Sequence, residues 1–152
     1  SHGTPMRRLI ESGAIPATNF VQIGLRGTGY AADDFDWSRQ QGFQVVQAED
    51  CWHRSLAPLM REVAARLGPG PVYISFDIDG LDPKLCPATG TPVPGGFEAE
   101  QIVYLIRVLI RSGRTLIGFD LSEVGVSHNE WDENVGARML FQLCHLLMTS
   151  NS

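Results

Sequence analysis

Three aspartates crowd the segment YISFDIDGLDP, at positions 77, 79 and 82, directly after a run of β-forming residues. Asp77 and Asp79 are two apart, so on a strand both carboxylates point to one face and Ile78 to the other. Carboxylates at that spacing repel, and burial raises their pKa unless a positive charge lies between them. A divalent cation suits such a pair, because carboxylate oxygen is a ligand for hard and borderline metals. The DxD spacing also occurs in phosphate-handling and glycosyl-transferring enzymes, so by itself it points to a cation and not to one reaction. Asp82, in front of Pro83, is suited to capping the following turn.

Other residues with chemical potential lie nearby in sequence. PATGTPVPGG (87–96) combines small residues with proline constraints, which make a stiff loop whose backbone can approach a ligand closely. Thr89 and Thr91 add hydroxyls to it. Glu123 lies where a strand leaves its sheet. There it can be a third metal ligand, a partner for a cationic group such as a guanidinium, or a partner for a neighbouring arginine. His53, His128 and His145 have no ligand spacing; the first two read as surface and His145 as core or helix face. Trp37, Trp52 and Trp131 are expected to pack helices against the sheet.

The elements that must position these residues follow an alternating pattern. Strand-like runs at 19–27, 43–50, 71–79 and 114–124 alternate with helical patterns ending at Gly42, Gly68 and Gly113, and a final helical pattern follows from 133. The strands are near-continuous apolar runs, as in a parallel sheet covered on both faces. The expectation is an α/β fold, a three-layer α/β/α arrangement with a mostly parallel sheet, in one domain spanning 1–152. In such sheets ligands bind outside the carboxyl ends of the strands. Those ends hold Arg26 and Gly27, Glu49 and Asp50, Asp77 and Asp79, and Asp120, Ser122 and Glu123.

Bulk properties narrow the function classes. The chain has 152 residues, 43% hydrophobic and 19% charged, with a net charge of −5. Its 12 Lys and Arg are scattered, which gives no basic face for nucleic acid. No apolar run approaches the ~20 residues of a membrane span, and SHGTPMRRLIESG does not read as a secretory signal. Three cysteines without CxxC spacing argue against structural zinc and for a reducing cytoplasm.

SFDIDGLDP resembles the signature of the ureohydrolases: arginases, agmatinases, guanidinobutyrases and their relatives. SHGTPMRR, FVQIGLRG, PATGTPVPGG and GFDLSEV resemble further segments of agmatinase-like members in the same order, over nearly the whole chain. The resemblance implies hydrolysis of a guanidino compound to urea and an amine with two metal ions, usually manganese and alternatively nickel. Bound metals lower the pKa of water and fix the nucleophile. By position, Asp77 and Asp79 would be metal ligands, Glu123 would pair with the substrate guanidinium, and Thr91 would lie beside it. His2 would match a pocket histidine that shuttles protons. The resemblance also implies a small guanidino substrate as partner and a homo-oligomer, trimeric or hexameric.

Two departures stand out. The family's other metal ligands come from GGDH and DAHxD motifs, and neither occurs here. The expectation is therefore a C-terminal half, inactive alone, with an apolar sheet edge exposed; the alternative is a truncated, non-catalytic binding or assembly partner. After Glu123 the chain reads VGVSHNEWDENVGARM where common agmatinases carry a Pro-rich segment, which leaves agmatine, guanidinobutyrate, other guanidino acids and guanidine open as substrates. A deacetylase of related fold would require histidine between the two aspartates, where Ile78 stands.

Overall fold

The computed structural model describes residues 4–29 and 33–150. The chain opens with α1 (Pro5–Glu11), begun by proline at a position where no backbone N–H is needed. A short 3₁₀ turn leads into β1 (Val21–Leu25), then α2 (Asp36–Gln41), β2 (Gln44–Gln47) and a 3₁₀ turn at Ala48–Cys51. There follow α3 (Ala57–Leu67), β3 (Val72–Asp77), α4 (Ala99–Arg111), β4 (Leu116–Ser122) and α5 (Trp131–Ser150). The alternation read from the sequence is present, and both strand pairings are parallel. Gly42 ends α2 in the left-handed region at φ 96°, which a side-chain-bearing residue adopts only at a cost. The first helix falls in a segment that reads as polar and broken; Thr4–Pro5 starts it, and Arg7 and Arg8 pair with Glu11 across one turn.

The strands form two pairs, β1–β2 and β3–β4, with no strand ladder between the pairs among the described residues. One apolar core nevertheless unites the chain. Ile102, Leu105, Ile106 and Leu109, at helical spacing on α4, meet Met139, Leu143 and Leu146 of α5, Met60 and Val63 of α3, and Phe76 of β3. Each such side chain contributes about 1.5–3 kcal/mol by leaving water.

Coverage differs between the faces of the β3–β4 pair. Phe76 lies in the core, whereas Tyr73, Ser75 and Asp77 are on the exposed side, opposite Gly118, Asp120 and Ser122 of β4. Tyr73 is 54% and Ile117 62% exposed. This face of the pair is therefore open in this chain, within the expected α/β class of helices and parallel strands. Trp37 packs edge-on against Phe43, but Trp52 and Trp131 are about half exposed. Trp52 lies over Gly95 instead of under a helix, and its indole N–H donates to the Gly95 carbonyl at 3.0 Å. His53 and His128 are on the surface and His145 is on the exposed side of α5.

Candidate active site at the carboxyl edge of β3 and β4

β3 ends at Asp77, and the chain turns at once into a 3₁₀ turn at Ile78–Gly80. The expected strand alternation therefore does not extend to Asp79. The physical reason is local: Asp77 Oδ1 accepts the backbone N–H of Asp79 at 3.3 Å, the side-chain-to-backbone bond that lets aspartate start a turn. Ile78 drops into the core at 1% exposure, and the two carboxylates are brought together by the turn.

Their proximity has an electrostatic consequence. Asp77 is raised from 3.8 to about 6, first by desolvation, then by the charge of Asp79, with a further contribution from Glu123. The two aspartates and Glu123 thus share one neighbourhood of like charge. Thr91 Oγ1 donates a short hydrogen bond to Asp79 Oδ2, so one oxygen of that carboxylate is oriented. Glu123 follows β4 with φ 60°, a left-handed conformation unusual for a residue with a side chain. Its carbonyl accepts Thr89 Oγ1 at 2.9 Å, and its carboxylate lies over Gly90, where an added Cβ would stand 3.2 Å from Oε2.

The loop between β3 and α4 is fastened at several points. Asp82 accepts the N–H groups of Lys84 at 3.2 Å and Gly95 at 2.8 Å. Burial acts to raise its pKa, but the backbone N–H groups of Lys84, Gly95 and Gly96 outweigh it and leave the carboxyl below its ordinary value. Asp82 therefore shapes the turn, as its position before Pro83 suggests. Leu81 bridges Phe97 in parallel fashion. Gly96 permits the close approach, since a Cβ there would meet the Leu81 carbonyl carbon at 2.5 Å.

Arg26, just past β1, binds four carbonyls and ties the two strand pairs together at this edge. Its guanidinium donates to Val93 at 2.7 Å, Asp79 at 2.7 Å, Leu81 at 3.0 Å and Gly24 at 3.3 Å. The rigid fork of donors suits this role better than a lysine would. Sequence reasoning places Arg26 at a strand end but gives no hint of a four-carbonyl brace.

Asp77, Asp79, Thr91 and Glu123 are accordingly assembled in one place, while His2 lies outside the described residues. An oxygen donor set with mutual repulsion fits a hard divalent cation. Two carboxylates supply only part of a cage, and no cluster of three or more His, Cys, Asp or Glu suited to a metal occurs among the described residues.

The chain as a whole is similar to known proteins. The Arginase family model matches residues 1–146. A guanidinobutyrase of Pseudomonas aeruginosa is 49% identical over 149 residues, covering 97% of this chain and 46% of that protein. A mitochondrial agmatinase of Gallus gallus is 45% identical over 148 residues, 96% of this chain and 43% of that protein. The solved structure of proclavaminate amidino hydrolase from Streptomyces clavuligerus superimposes with a TM-score of 0.85 at 32% identity, covering 96% of this chain and 48% of that one. The chain thus spans a little under half the length of the relatives it matches, and over that span it belongs to the arginase family.

Proposed function

We propose that this chain is the C-terminal part, one domain's worth at 1–152, of a metal-dependent hydrolase that converts a guanidino compound to urea and an amine. The observation that carries the reading is the convergence of Asp77, Asp79 and Glu123 at one sheet edge, where desolvation and the charges of Asp79 and Glu123 raise Asp77 to about 6. Asp77 and Asp79 would hold divalent ions, two manganese in the complete site or nickel as the alternative, with the remaining ligands supplied by residues outside this chain. Bound ions would supply a water of lowered pKa as nucleophile.

The chain's own residues do the rest. Thr91 fixes the oxygen of Asp79 that faces it. Glu123 receives the planar guanidinium through paired N–H donors, a geometry carboxylates favour. In hydrolysis the water oxygen adds to the guanidinium carbon and the C–N bond to the amine breaks. Both water protons end on the amine, which leaves as an ammonium; His2 would carry a proton on that path. The guanidinobutyrase and agmatinase likenesses support guanidinobutyrate or agmatine as substrate, with guanidine or another guanidino acid as alternatives. A homotrimer or hexamer in the cytoplasm is part of the same reading. No described helix is long and apolar enough to cross a membrane.

The test is to assay the complete gene product against a panel of guanidino compounds with manganese or nickel, scored by urea. Urea from one of them is the expected result; none from any, with metal bound, would favour a non-catalytic homologue.

A further inference from the structure

Asp132 is the most buried charged side chain among the described residues, 1% exposed, in the first turn of α5. A carboxylate there ordinarily serves its own helix. Other groups already do that work. Asn129 Oδ1 accepts the Trp131 N–H at 3.3 Å and Ser127 Oγ accepts the Asp132 N–H at 3.2 Å. Glu133 in turn takes the Ser127 N–H at 3.0 Å and its hydroxyl at 2.8 Å. Asp132 Oδ2 instead reaches back across the fold to the N–H of Ala88, at 2.8 Å. Its other oxygen, Oδ1, has no hydrogen-bond partner among the described residues. Burying a half-satisfied carboxylate is costly, and the Ala88 bond is the contact that this burial sustains.

That bond clamps two segments of the candidate site together. Gly125 lies directly against Ala88, and a Cβ at Gly125 would fall 1.9 Å from the Ala88 carbonyl oxygen. One residue on, Thr89 donates to the Glu123 carbonyl at 2.9 Å. Two residues further, Thr91 donates to Asp79. Glu123 itself has φ 60°, a conformation that persists only when its surroundings over-determine it. We infer that Asp132 is a positioning residue: it locks the segment 86–91 onto 123–127, and so sets where Glu123 and Thr91 stand relative to Asp79. The inference rests on the proposed function for its kinetic consequence, and on the hydrogen bonds above for its structural one.

The test uses the complete protein with Asp132→Ala and Asp132→Asn. Asparagine keeps an oxygen that can accept from Ala88; alanine does not. Asp132→Ala is expected to lower kcat/KM for the guanidino substrate by about 10- to 100-fold, and Asp132→Asn to recover most of that loss. Independently of turnover, hydrogen exchange in the peptides spanning 86–91 and 121–127 should quicken about tenfold or more in Asp132→Ala and stay near wild type in Asp132→Asn, with α3 and α4 unchanged. Wild-type exchange in those peptides in Asp132→Ala overturns the inference, whether or not the protein releases urea. Equal loss in both variants, tracking a fall in folded protein, overturns it too. A wild-type protein that makes no urea but shows the exchange pattern refutes the function and leaves the clamp standing.

Discussion

Asp77 holds the charge conflict around which the site is organised. Its native pKa, about 6 against an ordinary 3.8, means that the folded chain binds this proton more tightly than the unfolded chain does. The sign follows: the native state loses stability as pH rises from the ordinary aspartate range through about 6, and a divalent cation should restore what is lost. Carbon-detected NMR of the side-chain carboxyls should show Asp77 titrating with a midpoint near 6 in metal-free protein. An added divalent cation should move that midpoint down; an unchanged titration would contradict the assignment of these carboxylates. Thr91 allows a second check, since its hydroxyl orients Asp79 and is itself exposed. Thr91→Val should weaken metal affinity by about 10- to 100-fold with little change in Tm, as read by metal titration beside a melting curve.

At the scale of elements, the edge works because loops are braced by groups that carry no obvious motif. Removing Arg26 with Arg26→Ala would take the guanidinium donor from four carbonyls in part-buried surroundings, and an unsatisfied buried group costs about 1–3 kcal/mol. The expected outcome is a clearly lower Tm, with metal affinity falling further in Arg26→Lys than fold stability does, because lysine restores charge without the fork. Gly96→Ala should destabilise by about 1–3 kcal/mol through overpacking against Leu81, measurable by denaturant unfolding. Much of this layer was readable beforehand. Helical spacing gave α3 and α4, glycine gave the end of α2, and the DxD spacing singled out Asp77 and Asp79. Other features were hidden for physical reasons. The turn at Ile78–Gly80 depends on one side-chain-to-backbone bond that periodicity cannot register. The Arg26 brace and the Asp132 clamp join residues dozens of positions apart, and an arginine at a strand end or an aspartate in a first helical turn looks ordinary in sequence. Proline at the start of α1 is a helix-start sign, but the short polar segment around it carries no apolar periodicity to mark a helix.

At the scale of the molecule, the four strands stand as two parallel pairs, joined through the core and through Arg26, with one face of β3–β4 open to solvent. The chain spans a little under half the length of the relatives it matches, and on the proposed reading the rest of the complete protein would cover Tyr73 and Ile117. In the complete protein the peptides carrying these two residues should exchange hydrogen more slowly than in the isolated chain; equal rates would argue that the face is solvent-facing in both. The account stands most directly on one comparison: metal content and urea formation measured together in the complete protein and in Asp77→Asn. Both should fall in parallel, urea formation by more than about 100-fold, and full metal content with wild-type urea formation in the variant would contradict the claim that this carboxylate pair is the heart of a guanidino-hydrolysing site.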